Sequence, residues 1–275
     1  TFPDIRSGLD LFKTFLTSGY TEVEEYVLRV GQSAAKRAVV PMHEFIQTIG
    51  LENKLYYNHE ISKIPNLFYP AKGSKDHFLK IFILHSLKKF RGTIGNQEKF
   101  IDIELLKKDF IDGGYKENLI NQEISFLLNQ NFVETDTVLS DTKWDEIPAA
   151  NIGVAITAKG MFYIETMINH FYYIDLVLQD TPFFVEDDFL KAKDLFPLRN
   201  EFYKRDMYKR IGTLAVFMEY LDKQEEQNVP KAIFQKYGKI IKTIVQSGLK
   251  DDVERICVKI QHPVPAFFDN DMMQT

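Results

Sequence analysis

The sequence predicts a mainly α-helical chain in three segments, with one small β element in the middle. Three observations predict it. Apolar residues recur at three-to-four spacing over most of the length. Capping residues, Gly and Pro punctuate those runs. Beyond a brief KFIDI, only FVETDTVL at 132–139 and NIGVAIT at 151–157 read as strands.

The first segment, residues 1–70, reads as short helices and a linker. Asp4 caps IRSGLDLFKTFL, whose Leu9, Phe12, Phe15 and Leu16 share a face, and Ser18-Gly19 stops it. Thr21 caps EVEEYVLRV with Glu24 completing a capping box. Pro41 begins MHEFIQTIG and Gly50 ends it. KLYYNHEISKIPNLFYPAKGS has two prolines and no sustained period, and is expected to pack on a surface through its aromatics.

The second segment, 71–165, has a more specific order. Ser74 is expected to cap KDHFLKIFILHSLKKF, KFIDI to form a strand, and Asp102 to cap IELLKKDF ahead of Gly113-Gly114. YKENLINQEISFLLNQN follows as a helix with Leu119, Ile120, Ile124, Leu127 and Leu128 inward. The two strands flank a polar loop containing Trp144 and Pro148. Thr157 is then the N-cap of a new helix, and Gly160 lets that helix lie close to its neighbours.

The third segment, 166–275, reads as helical throughout. Tyr203, Met207, Ile211, Leu214, Met218 and Leu221 form a one-sided stripe. Ile233, Tyr237, Ile240 and Ile244 predict a second long helix between Pro230 and Gly248, antiparallel to the first. The tail HPVPAFFDNDMMQT has two prolines and no period, and is expected to be either loose or docked by Phe267 and Phe268.

Composition excludes several classes. With 275 residues, 45% hydrophobic and 13% aromatic, the chain can build a full core. A lone cysteine, Cys257, leaves no disulfide framework and points to a reducing, cytoplasmic setting. No apolar run approaches the roughly 20 residues that span a bilayer, so no membrane partner is expected. The opening TFPDIRSGLD has no signal-peptide pattern, and Thr1 in place of an initiator Met reads as a cut end.

No catalytic constellation appears. There is no Gly-x-x-x-x-Gly-Lys-Ser/Thr loop to wrap phosphates, and GTIGNQEK has the wrong spacing. His43-Glu44 lacks the second His of a zinc helix and the 6 His are scattered, so no metal site is expected. There is no Gly-x-Ser-x-Gly elbow, and Cys257 sits between Ile256 and Val258 as a buried thiol. The pairs Asp187/Asp188 and Asp251/Asp252 fall at helix starts, where they complement the dipole.

Two resemblances carry the functional reading. Helix, strand, helix, helix, strand, loop, strand is the winged-helix order. Ile156, Thr157, Gly160, Tyr163 and Ile164 resemble the "hydrophobic-Thr-x-x-Gly-x-x-Tyr-Ile" ending frequent in prokaryotic winged helices. PDIRSGLDLFKTFLTSG at 3–19 resembles the start of the lid helix in AAA+ and related P-loop ATPases, with Pro3-Asp4 departing from the family's Gly-Asn. On that resemblance Arg6 falls on the second sensor, the arginine set over the terminal phosphate. The full reading is then AAA+ lid-like helices, a winged-helix domain with a small β wing, and a C-terminal helical domain. Lid followed by winged helix is shared by ATPases of origin-recognition, helicase-loader and prokaryotic antiviral-defence type. The resemblance implies an ATPase core upstream of Thr1, with that core or sister subunits as partners. It implies ATP and Mg²⁺ only with that core, and no cofactor in this chain.

What the winged helix engages stays open between DNA and a protein. Its third helix offers Lys116, Asn118, Asn121, Gln122 and Ser125 outward, with amides suited to base edges, while Glu117 and Glu123 oppose phosphate. Glu134, Asp136, Asp141, Asp145 and Glu146 against Lys143 give the wing region a charge of −4, and the whole chain carries −5. Two basic stretches could track a phosphate backbone. Lys75, Lys80, Lys88, Lys89 and Arg91 against Asp76 make +4, and Lys231, Lys236, Lys239, Lys242 and Lys250 stud residues 231–250. The alternative for these lysines is a solvated helix face. For the aromatics FYY at 171–173 and PFF at 182–184, it is an interface anchor or core packing.

Overall fold

The computed structural model describes Lys13 and residues 42–51, 54, 56–93, 99–136, 152–195 and 207–269. Apart from Lys13, the helices expected before residue 41 lie outside them, as do Arg6, the polar loop with Trp144 and Pro148, Tyr203 and the last six residues. The described chain is mainly helical with one three-stranded antiparallel sheet. Among the described residues no helix is long and apolar enough to cross a membrane. Two compact units form, one from Thr1–Asn66 with Phe171–Thr181, the other from Leu67–His170 with Pro182–Thr275.

In the first unit, helix α1 is Met42–Leu51. Gly50 is its penultimate residue, one short of the end. A Cβ there would stand 2.4 Å from Cδ2 of Leu176, so the glycine serves the close approach of α1 to the helix at Phe171–Val177, called α6 below. The aperiodic stretch is tied down by hydrogen bonds as well as aromatics. The Tyr57 hydroxyl donates to the Ile64 carbonyl at 2.7 Å, and Tyr173 donates to Pro65 at 3.0 Å. Asn66 Nδ2 donates to the Val177 carbonyl and to Thr181 Oγ1.

The second unit begins with α2, Leu79–Thr93, whose Phe82, Ile83 and Leu84 are fully buried. Its start corrects the sequence reading of Ser74 as cap. Ser74 Oγ instead accepts the Asp76 N–H, and Asp76 Oδ1 accepts the Phe78 N–H at 2.7 Å, so two linked turns delay the helix. Strand β1, Ile101–Asp102, leads into α3, Ile103–Asp112, and Asp102 Oδ1 accepts the Glu104 N–H at 2.7 Å as expected of the cap. The chain leaves through Gly113 and Gly114, the latter at φ 107. Helix α4, Glu117–Asn129, buries Ile120, Ile124, Leu127 and Leu128.

Strands β2, Val133–Thr135, and β3, Gly153–Ile156, then complete the sheet in the order β1-β3-β2. Ile101 faces Val154 and Val133 faces Ile156 across the ladders. All four residues of the central strand are buried. Its end explains why strand becomes helix at Thr157. The Thr157 Oγ1 accepts the Gly160 N–H at 3.1 Å and donates to the Asn131 carbonyl at 2.8 Å, capping α5, Ala158–Glu165, and fixing it to the turn before β2. A Cβ on Gly160 would lie 2.5 Å from the Phe132 carbonyl oxygen, so only glycine lets α5 cross there.

Beyond α6, α7 is Glu186–Leu195, with Glu186, Asp187 and Asp188 in its first turn. Helix α8, Met207–Asn228, buries Met207, Ile211, Leu214, Met218 and Leu221, the predicted stripe. The single helix expected between Pro230 and Gly248 is instead α9, Lys231–Tyr237, and α10, Ile240–Ile244. Gly238 breaks it at φ 76, its N–H returning to the Phe234 carbonyl at 2.8 Å. A π-helical turn at Val245–Leu249 holds Gly248 and runs into α11, Lys250–Ile260, so Gly248 bends the path rather than ending it. Asp251 and Asp252 stand in the first turn of α11, and Cys257 is buried. The tail folds as α12, Ala266–Asp269, anchored by buried Phe268.

Candidate functional site

Helix α4 is the element that could read a ligand, because its apolar side is buried and its other side is not. Lys116 at its N-cap position, Asn118 and Gln122 are exposed; Asn121 and Ser125 are half-buried. The Asn121 Oδ1 accepts no hydrogen bond among the described residues. Glu123 does not oppose phosphate from this face, contrary to the sequence reading. It points inward, 3% exposed, and meets the Lys80 ammonium at 2.8 Å while accepting the Ala71 N–H at 3.0 Å. Lys80 therefore leaves the basic stretch at 75–91 as a surface charge.

That pair belongs to a buried polar network of the second unit. Burial pushes the Asp76 carboxyl up to about 6, although the Tyr115 hydroxyl donates to it at 2.5 Å. Burial and the neighbouring Asp76 charge raise the Tyr115 phenol, and burial raises Glu123. His77 is held neutral, its value lowered to about 4 by burial, with Nδ1 2.7 Å from the Phe68 carbonyl and Nε2 3.0 Å from the Tyr220 hydroxyl. Each group meets a partner inside the core, so the network holds α2, α4 and α8 together rather than presenting a reactive atom. Sequence periodicity missed it. The available signal was Glu123 falling between Ile120 and Ile124 on the inward side.

The remaining basic candidates are mostly paired with carboxylates or rings. Lys88 bonds Glu165 at 2.9 Å, and Arg91 Nη1 reaches the Ile156 carbonyl at 3.4 Å. Lys236 pairs with Asp109, Lys239 with Glu226, and Lys250 approaches Glu254 at 3.8 Å. Lys242 is half-buried on α10. Two candidates from separate segments meet at one ring: Lys89 stands 6.0 Å and Lys236 5.4 Å from the Tyr237 centroid. Tyr237 closes a groove of about 460 Å³ between α2, α3 and α9, floored by Phe90, Ile101, Leu105 and Leu106. Leu105 there is 58% exposed, and the rim carries Lys89, Lys108 and Lys236 against Asp109 and Asp112. Nothing in the sequence pattern announced this groove, since α9 is remote in the chain from the consecutive helices α2 and α3 that it meets.

Among the described residues no group of three or more His, Cys, Asp or Glu could hold a metal ion. Arg6 lies outside the described residues. Comparison with protein-family models, with curated proteins and with solved structures finds no match to this chain.

Proposed function

We propose that this chain is a non-catalytic region of a P-loop ATPase of AAA+ or STAND type, in which lid-like helices carry nucleotide state to a winged helix that engages a protein partner. What carries the reading is the sheet order β1-β3-β2 with α2 before β1 and α3-α4 between β1 and β2. Winged helices have this arrangement, and the Thr157 cap and Gly160 contact behind their resemblance are both formed. Arg6 is the lid's contribution, supplying positive charge to a terminal phosphate held by the core.

A protein is favoured over DNA by the ion pairs. Lys and Arg bind a phosphate backbone by neutralising phosphates and releasing the cations condensed on them, and here Lys88, Lys236 and Lys239 already face carboxylates. A polyanion would have to displace those carboxylates and still meet their charge. The groove beside α3, with an apolar floor and nearly balanced rim charges, suits an apolar row on a protein partner. The DNA reading keeps the amides of α4 as its support. The ATPase reading is tested on the gene: a P-loop and an acidic strand end in frame upstream of Thr1 support it, and a reading frame that starts at Thr1 ends it.

A further inference from the structure

A single buried carboxylate caps the start of α10 just after its break from α9. Glu225, on α8 and 0% exposed, accepts the Ile240 N–H at 2.5 Å and the Ile241 N–H at 3.1 Å. Those are the first two amides of α10, which its own N-cap residue Lys239 does not cap with its side chain. On the other side of the break stands Gly238 at φ 76, with open space where a Cβ would be. One buried carboxylate thus clamps one end of a short helix, and a glycine at positive φ stands two residues before it.

We propose that Glu225 is a proton-linked latch on the joint between α9 and α10: the closed joint keeps the carboxyl buried under Ile240 and Ile241, and turning at Gly238 returns it to water. This goes beyond the ATPase reading and does not depend on it. The charged groups acting on Glu225 are Asp222 from α8, which disfavours its ionised form, and Lys239 from the joint, which favours it. The Tyr115 phenol, from the turn before α4, feels the Glu225 charge as well. Burial outweighs the two amide bonds and holds the carboxyl at about 7 in the closed joint. In the open joint the hydrated carboxyl ionises near its ordinary value of 4.5.

The sign follows. The closed state binds the proton more tightly, so closure is favoured at low pH and weakens as pH rises toward 7, by up to about tenfold per unit, levelling off above it. Between Gly238 and the carboxyl, Lys239 pairs with Glu226 and lies 3.9 Å from Asp222, so opening also frees a cation.

The test is amide hydrogen exchange of the chain, corrected for intrinsic rates, between about pH 5.5 and 8.5. Protection at Ile240 and Ile241 is expected to fall roughly 30-fold across that range, as the two carboxyl values imply. The fall should be absent in Glu225→Gln and absent from amides in the middle of α4. An equal fall in α4 or in the variant overturns the latch. If Glu225→Gln does not fold, carboxyl-carbon titration of the unaltered chain decides: a midpoint near 7 supports the latch, and one near 4.5 overturns it.

Discussion

Replacing Lys80 by Met tests the buried network at its most consequential contact. Lys80 and Glu123 are each 4% exposed at the side chain and stand 2.8 Å apart. At an effective dielectric of about 20, unit charges at that separation attract by ~6 kcal/mol, and most of this offsets the cost of removing both ions from water. Lys80→Met removes the attraction while leaving Glu123 buried with only the Ala71 N–H, so the loss is about 3–5 kcal/mol at pH 7. Glu123 can lower that loss by taking up a proton, so the variant should recover part of its stability as pH falls. Removing both charges, as Lys80→Met with Glu123→Leu, should cost less than Lys80→Met alone. Urea unfolding followed by circular dichroism reads all three. A Lys80→Met variant within about 1 kcal/mol of the parent, or a double variant less stable than Lys80→Met alone, would show that the buried pair is not what Lys80 holds.

Three further outcomes follow from other contacts. Gly160→Ala forces a methyl to 2.5 Å from the Phe132 carbonyl and should cost about 1–3 kcal/mol in thermal melts; an unchanged melting temperature would show that α5 can shift. Thr157→Ala removes the α5 cap and should cost about 1 kcal/mol, with Thr157→Ser recovering most of it; equal losses in both would remove the capping account. Asp76 is raised from 3.8 to about 6, so its contribution to stability is complete below about pH 4 and disappears as pH rises through 6, roughly 3 kcal/mol in all. Asp76→Asn should flatten that part of the pH profile, and a parent profile that rises over the same range would contradict the sign.

Local signals decided which parts of the fold were legible. Asp102 and Thr157 are caps whose chemistry involves residues two or three places on, and both form as expected. The apolar stripe of α8 and the inward set of α4 follow from a period that burial enforces. The failures lie where a distant residue decides. Gly50 looks like a helix end because glycine often is one, yet Leu176, remote in sequence, is what needs the missing Cβ. The run from Pro230 to Gly248 keeps helical spacing through Gly238, and it takes the positive φ of Gly238 together with the buried Glu225 on α8 to end one helix and start another at Ile240. Lys80 and Glu123 read as surface charges on separate helices because neither sequence neighbourhood reveals the other. The same blindness counted Lys88, Lys236 and Lys239 as a basic surface, when their carboxylate partners come from other elements.

The charge account of the candidate site is tested most directly by fluorescence anisotropy of the chain with labelled duplex and single-stranded DNA at low and moderate salt. No binding of either DNA is expected, even at low salt, because Lys88, Lys236 and Lys239, three of the lysines that would neutralise phosphate, are held by Glu165, Asp109 and Glu226. Binding that weakens steeply with salt and is lost on changing Lys236, Lys239 and Lys242 to Glu would contradict it and make this a phosphate-tracking surface.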